Sequence, residues 1–192
     1  MEKTKIKIIQ AATDLFIKNG FSGTSISDIA KEAGINQSLI YHHVGNKQDL
    51  WQAVKKFLIP DNDDEVNLEN VCYRNLNDFI NAIIKSRIDF YSRDHRIIRL
   101  VKWQILEEDF ENNQLQNKIF PHHWIQVIEN LQENGEISKQ YSAEFFGFFI
   151  FSLVNSLIFD SYNIINKDLV KNNHYILLVK EIILNNLKAK VN

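Results

Sequence analysis

The stretch "SISDIAKEAGINQSLIYHHVGNK", residues 25–47, contains the signals that decide the fold of the N-terminal part of the chain. Ser25 and Asp28 have the spacing of a capping box, which predicts that a helix begins here. Gly34 can take the left-handed backbone conformation that ends many helices. The sequence therefore predicts a short helix over residues 26–33.

A second short helix follows after the tight turn "AGIN". Asn36 is a good N-cap residue and Gly45 a good stop, so this helix is predicted over residues 37–43. Two short helices joined by a turn that contains glycine are typical of a helix-turn-helix. In that motif the second helix lies in the major groove of DNA.

The flanking sequence predicts two more helices. An apolar stripe spaced for one helix face runs through residues 4–18, and Gly20 follows it. Asn46 and Asp49 mark the start of a fourth helix, which extends to about residue 59. We expect its buried positions to be Leu50, Val54, Phe57 and Leu58.

The exposed face of the second short helix carries residues that can read bases. At 100° per residue, Ile40 and Val44 point inward, and the hydrogen-bonding side chains point outward. Gln37 can bond adenine, and Leu39 can touch a thymine methyl. The predicted base-reading residues are Gln37, Ser38, Leu39 and His42.

Other residues around this helix are suited to the DNA backbone. Tyr41 flanks the reading face, and Lys47 lies at the start of the fourth helix, where free N–H groups attract anions. Thr24 and Ser25, before the first of the two short helices, are predicted to contact the opposite wall of phosphates. Phosphate contacts of this kind position a protein on DNA without reading its sequence.

The adjacent histidines His42 and His43 raise the alternative of a metal site. Neighbouring side chains on a helix point about 100° apart, and no Cys, Asp or Glu follows at i+3 or i+4 on the right face. We therefore expect no metal here and no cofactor. His43 is expected to pack or cap, whereas His42 belongs to the reading face.

The composition is that of a globular, all-α protein with its positive charge in the N-terminal part. Residues 1–59 hold eight Lys or Arg and five Asp or Glu, although the whole chain has a net charge of −2. The first residues read as an amphipathic helix and not as a signal peptide, and the single cysteine, Cys72, cannot form an internal disulfide. These features favour a reducing cytoplasm, and the apolar run at 145–159 is too short to cross a membrane.

The second part of the chain, after the polar segment at 59–70, predicts longer helices. We expect two domains, residues 1–59 and 60–192, and about nine helices in all. The five predicted in the second domain cover 67–92, 95–108, 113–134, 142–163 and 168–188.

Enzyme motifs are absent from the sequence. It contains no G-x-S-x-G elbow, Walker loop, H-E-x-x-H or paired-cysteine site. A DNA-binding adaptor, whose second domain recognises a protein, is the alternative to a regulator that responds to a small molecule.

The segment from Ile8 to Val54 resembles the N-terminal domain of the TetR family of bacterial transcriptional regulators. The stretch "AATDLFIKNGFSGTSISDIAKEAGINQSLIYHHVGNKQDLWQAV" carries the resemblance, including Gly-Phe, Thr-Ser, Asp-Ile-Ala, Ala-Gly-Ile and Asn-Lys-x-x-Leu. It covers about a quarter of the chain. Val44 stands where many members have Phe, and Leu39 replaces a small or hydroxyl residue, which leaves the operator sequence open.

The resemblance implies a transcriptional repressor that binds a palindromic operator as a homodimer. It implies that Gln37, Ser38, Leu39 and His42 face bases, while Thr24, Tyr41, His43 and Lys47 face the backbone. It also implies that the helices at 142–163 and 168–188 form the dimer interface, and that the second domain encloses a small effector.

For the effector we expect a bulky, largely apolar molecule held by aromatic residues and a few polar groups. Aromatic residues at helical spacing are more often ordinary core than ligand contacts. The main candidates are Tyr91, Trp103, Glu107, Phe110, Phe120, His123, Trp124 and Phe149. Phe90, Arg99 and Gln104 are secondary candidates.

Overall fold

A computed structural model of the chain describes residues 2–60, 73, 75–107, 123–159 and 174–189. Within these residues the regular structure is helical, and the one β-type pairing is an isolated bridge between Ile137 and Lys188. The described residues form nine helices, which are α1 Glu2–Asn19, α2 Ile26–Ala33, α3 Gln37–His43, α4 Lys47–Leu58, α5 Leu76–Arg93, α6 His95–Leu106, α7 His123–Glu133, α8 Ala143–Phe159 and α9 His174–Leu187.

The short N-terminal helices begin and end where their caps predict. The Ser25 side chain accepts from the Asp28 N–H, and the Asp28 carboxylate accepts from the Ser25 N–H, which completes a capping box at the start of α2. Gly34 ends α2 in the left-handed conformation, with φ +61°. Asn46 and Asp49 form the same reciprocal pair at the start of α4. Asn36 occupies the N-cap position of α3, but its side chain makes no capping hydrogen bond.

The chain divides into two compact units, and the first contains α1–α4 together with α6. α1 packs against each of the other four helices of this unit, and α6 also contacts α4. The rings of Phe16, Phe21 and Trp51 form the centre, with Phe16 and Trp51 edge to face at 5.1 Å between centroids. Arg96 on α6 pairs with Asp94 at 2.7 Å, which fixes the start of that helix.

The second unit contains α5, α7, α8 and α9. α8 lies at its centre and packs against the other three helices, while α5 also contacts α9. Its core is aliphatic and aromatic, and includes Phe79, Trp124, Phe146 and Ile150.

The all-α prediction is confirmed, and so are the breaks near residues 94 and 135. The predicted breaks at 108–113 and 163–167, and the predicted start at 67, lie outside the described residues. Each described helix is too short or too polar to cross a lipid bilayer. The predicted domain boundary at residue 59 stays a prediction. The compact unit that contains the N-terminal helices also includes α6.

The prediction that Phe57 is buried is wrong, because its side chain is 42% exposed. The buried stripe of α4 runs through Leu50, Trp51, Val54, Lys55 and Leu58. Phe57 lies about 90° from the centre of that stripe at 100° per residue.

Candidate nucleic-acid interface

One face of α3 is exposed, and it holds the predicted base-reading residues. Gln37, Ser38, Leu39 and His42 are all exposed, whereas Ile40, on the opposite face, is fully buried. Ile40 therefore fixes the rotation of α3 against the helices beneath it. The four predicted side chains are brought together on one surface that a DNA groove could meet.

The residues predicted to contact the DNA backbone differ in their accessibility. Tyr41 is exposed, and His43 and Lys47 are half-buried. Ser25 is exposed, but its hydroxyl is used in the capping box of α2. The hydrogen bond from that hydroxyl to Asp28 is the main cause that lowers the pKa of the Asp28 carboxyl.

Thr24 departs from the expectation of a phosphate contact. Its side chain is 2% exposed, and its hydroxyl donates to the Gly20 carbonyl at 2.8 Å, with the Leu15 carbonyl at 3.3 Å. This hydroxyl therefore holds the loop between α1 and α2 to the end of α1. It points into the domain and away from any ligand at the surface.

Lys47 lies beside an aromatic ring at the start of α4. Its Nζ lies 4.3 Å from the centroid of the Phe21 ring, a cation–π distance. The hydrogen bonds from Ser22 are the main cause that lowers the pKa of Glu107, and the charge of Lys47 adds a smaller effect in the same direction. This ammonium therefore lies at the start of α4 in a defined environment, next to the α1–α2 loop.

Two of the effector candidates, Trp103 and Glu107, contact the N-terminal helices. Trp103 Nε1 donates to the Ile17 carbonyl at 3.1 Å, and Glu107 accepts from the Ser22 N–H at 3.0 Å and from the Ser22 hydroxyl. The Ser22 hydroxyl is the main cause that holds the pKa of Glu107 below its usual value. These contacts join α6 to α1 and to the loop that follows it.

The adjacent histidines touch each other edge to face. The ring centroids of His42 and His43 are 5.1 Å apart, with an angle of 66° between the planes. In the part of the chain that the structure describes, no three His, Cys, Asp or Glu side chains cluster as a metal site would require.

The second unit holds four other effector candidates. Tyr91 and Trp124 are buried, and His123 and Phe149 are half-buried. Phe110 and Phe120 lie outside the described residues.

Arg87, a residue that the sequence analysis missed, lies among these candidates. It is 1% exposed, and its guanidinium carbon lies 5.2 Å from the centroid of the Trp124 ring. The sequence contains a pattern that could have predicted the burial of Arg87. Phe79, Ile83, Arg87 and Tyr91 follow one another at i, i+4 spacing, so a charged residue interrupts an apolar helix face.

Comparisons with known proteins agree with this geometry. Residues 8–54 match the sequence model of the N-terminal domain described as bacterial regulatory proteins, tetR family. The HTH-type transcriptional repressor SCO4008 of Streptomyces coelicolor is 31% identical over 106 residues, which are 55% of this chain and 52% of that protein. The chain thus spans about half the length of this relative.

Solved structures match over nearly the whole chain. NalD, the secondary repressor of the MexAB-OprM multidrug efflux pump in Pseudomonas aeruginosa, has a TM-score of 0.70 and 18% identity, covering 99% of this chain and 98% of its own. The SmeT–triclosan complex has a TM-score of 0.67 and 17% identity, with 98% and 93% coverage. At these identities the likeness concerns the fold. Residues 8–54 therefore resemble the N-terminal domain of the tetR family of bacterial regulatory proteins, and the chain has the fold of solved structures such as NalD.

Proposed function

We propose that the protein is a transcriptional repressor that binds a palindromic operator as a homodimer and leaves it when a small ligand binds the second unit. The observation that carries this proposal is the exposed polar face of α3. Its residues have the hydrogen-bonding groups that base edges require, and α3 is held by the buried Ile40. The proposal includes a cytoplasmic location, where operator DNA is found.

Base contacts are assigned to Gln37, Ser38, Leu39 and His42. Gln37 and His42 supply hydrogen bonds, and Leu39 supplies apolar contact with a thymine methyl. Tyr41, His43 and Lys47 are assigned to phosphates, together with the exposed backbone around Ser25. Thr24 is left out of this set, because its hydroxyl is bonded inside the domain.

The homodimer is supported by apolar side chains that remain exposed on α8 and α9 of a single chain. Phe145, Phe148, Leu177 and Leu178 are each more than half exposed. Apolar surface of this extent on neighbouring helices is typical of a surface that a partner covers. A second copy of the chain would cover it, and a two-fold protein matches a palindromic operator, whose half-sites lie about 34 Å apart, one turn of DNA.

Release by a ligand requires that the ligand bind more tightly to one arrangement of the two α3 helices of the dimer than to another. α6 offers a route, because Trp103 and Glu107 join it to α1 and to the following loop. A change in α6 would then tilt α4, and phosphate contacts would lose their register. The structural neighbour SmeT, which shares this fold at 17% identity, is known in complex with triclosan, and this supports a small-molecule effector for the present protein.

The alternative function is a DNA-binding adaptor whose second unit responds to a protein partner. The aromatic core around Phe79 and Trp124 is compatible with that reading. If the protein is such an adaptor, a protein partner should release it from DNA, and no small molecule should do so.

The test is a footprint of the purified protein on the DNA upstream of its own gene, repeated with candidate ligands. The proposal predicts protection of a palindromic site of two half-sites, and loss of protection with at least one ligand. Protection of a single half-site, or binding to all sequences with equal affinity, would contradict it.

A further inference from the structure

Arg87 is a buried charge on an apolar helix face. It lies on α5 one turn after Ile83 and one turn before Tyr91, and it is 1% exposed. Burial lowers the pKa of its guanidinium, although an arginine keeps its charge in proteins. Placing a cation in such surroundings is costly unless specific groups stabilise it.

Aromatic rings from two other helices surround this guanidinium. Its carbon lies 5.2 Å from the centroid of Trp124 on α7 and 6.0 Å from that of Phe151 on α8. Both are cation–π distances. Arg87 is thereby held between three helices of the second unit, with ring faces as its neighbours.

The same place contains a hydrogen-bond donor with no acceptor. Trp124 Nε1 is buried and has no hydrogen-bond partner among the described residues, although buried indole N–H groups usually have one. Asn155 Oδ1, one turn after Phe151, is likewise unbonded within those residues, so it is not the acceptor for this indole.

A third group adds a further donor. Burial raises the pKa of Tyr91 to about 12, with the charge of Arg87 opposing the shift. Tyr91 therefore stays protonated at neutral pH. A guanidinium has five N–H donors and can hold a ligand anion while it keeps another partner.

We propose that Arg87, Trp124 and Tyr91 form the polar end of the effector site, and that the effector is a monocarboxylate carried on an aromatic or other apolar body. This inference rests on the proposed function. It narrows the chemical class of the effector from largely apolar molecules to carboxylic acids with an apolar body. A carboxylate accepts two parallel bonds from arginine and has lone pairs left for an indole and a phenol. The rings of Trp124 and Phe151 suit the apolar body.

The test uses two probes of the same shape, 2-naphthoate and the neutral 2-naphthamide, titrated calorimetrically into the full-length protein. Naphthoate is expected to bind about tenfold more tightly than the amide, or better, as for a hydrogen-bonded charge. Arg87→Met is expected to abolish this preference while the affinity for the amide stays unchanged.

Two milder variants keep the test valid if Arg87→Met does not fold. Arg87→Lys keeps the charge but loses the bidentate geometry, and Trp124→Phe keeps a ring but loses the N–H. Each is expected to weaken naphthoate binding about ten- to a hundredfold, a range typical of one lost hydrogen bond to a charged group. Lys85→Met, which removes an exposed cation from the same helix, is expected to leave both affinities unchanged.

Equal affinities for the two probes, no binding of naphthoate, or naphthoate binding that is insensitive to both milder variants would overturn the inference. DNA release, measured separately on the upstream DNA, distinguishes this failure from failure of the proposed function. Release by the amide as effectively as by the acid would leave ligand-controlled repression intact and refute the acid site. Binding of naphthoate that depends on Arg87 but leaves DNA bound would support the site and refute the release step.

Discussion

Trp103 donates its indole N–H to the carbonyl of Ile17 at 3.1 Å, and this bond joins α6 to the last turns of α1. The ring lies so close to Gly20 that a Cβ built there would be 2.8 Å from its Cε3 atom. The contact therefore depends on the absence of a side chain at the residue that follows α1. Gly20 also has φ +78°, so this position requires glycine both for its backbone conformation and for the close approach of the Trp103 ring.

Gly20→Ala is expected to lower the free energy of unfolding by about 2 to 5 kcal/mol. A positive φ costs an alanine about 1 to 2 kcal/mol, and displacement of the packed indole adds about 1 to 3 kcal/mol. Urea denaturation of the purified protein measures the change.

Gly135→Ala is the matched control for this prediction. Gly135 has φ +77°, but a Cβ built there meets no atom within 4 Å. Gly135→Ala should lower the free energy of unfolding only by the cost of the positive φ, about 1 to 2 kcal/mol. Equal losses for the two variants would show that the Trp103 contact contributes nothing.

The bond between Glu107 and Ser22 predicts a dependence of stability on pH. The Ser22 hydroxyl and N–H hold the folded-state pKa of Glu107 below its usual 4.5. A lowered folded pKa means that this stability is present above about pH 4.5 and is lost as the pH falls through the folded value. Glu107→Gln should therefore lower Tm at pH 7, and the difference from wild type should shrink towards pH 3.

Glu32→Gln removes an exposed carboxylate from α2 and serves as the control. Its Tm should follow that of the wild type across the same pH range. If the curves for Glu107→Gln and wild type ran parallel from pH 7 to pH 3, the charge of Glu107 would have no part in holding the loop.

The sequence could predict the N-terminal helices because their signals are local. Ser25 with Asp28, and Asn46 with Asp49, are three residues apart, so each capping box is legible in the chain itself. The burial of Ile40 follows from helix periodicity in the same way.

The rest could not be predicted because it depends on contacts between distant parts of the chain. Ser22 and Glu107 are 85 residues apart, and nothing in the periodicity of either segment indicates that they meet. Trp103 was predicted to line a ligand pocket, because the sequence does not indicate that its indole N–H bonds to the carbonyl of Ile17. Thr24 was missed for a different reason. Its partner, the Gly20 carbonyl, is only four residues away, but the inward direction of the side chain depends on the conformation of the loop between them, which the sequence pattern does not indicate.

Two substitutions separate the DNA roles assigned to Lys47 and Gln37. Lys47→Ala should weaken binding to all sequences and lower the slope of log K against log salt by about one. Gln37→Ala should leave the slope unchanged and lose about 1 to 3 kcal/mol of discrimination at a single base pair. Fluorescence anisotropy on the operator and on single-base variants, at several salt concentrations, measures both.

Lys85→Ala is the control for the loss of a positive charge, because Lys85 is exposed on α5 in the second unit. It should change neither the slope nor the discrimination. Indistinguishable slopes and specificities for Lys47→Ala and Gln37→Ala would contradict the assigned roles.

A charge on α9 should separate the two copies of the proposed dimer. Leu177 is 57% exposed on α9, and Leu177→Glu would bury a carboxylate in an apolar interface. The dissociation constant of the dimer should rise at least about thirtyfold, the effect of losing a hot spot of about 2 kcal/mol, and sedimentation equilibrium measures it. Leu106→Glu, on the 71% exposed Leu106 of α6, adds the same charge elsewhere and should leave the dimer intact. Operator affinity should fall with Leu177→Glu alone, because a monomer meets only one half-site. A wild-type monomer, or equal dissociation of both variants, would refute the assignment of α9 to the interface.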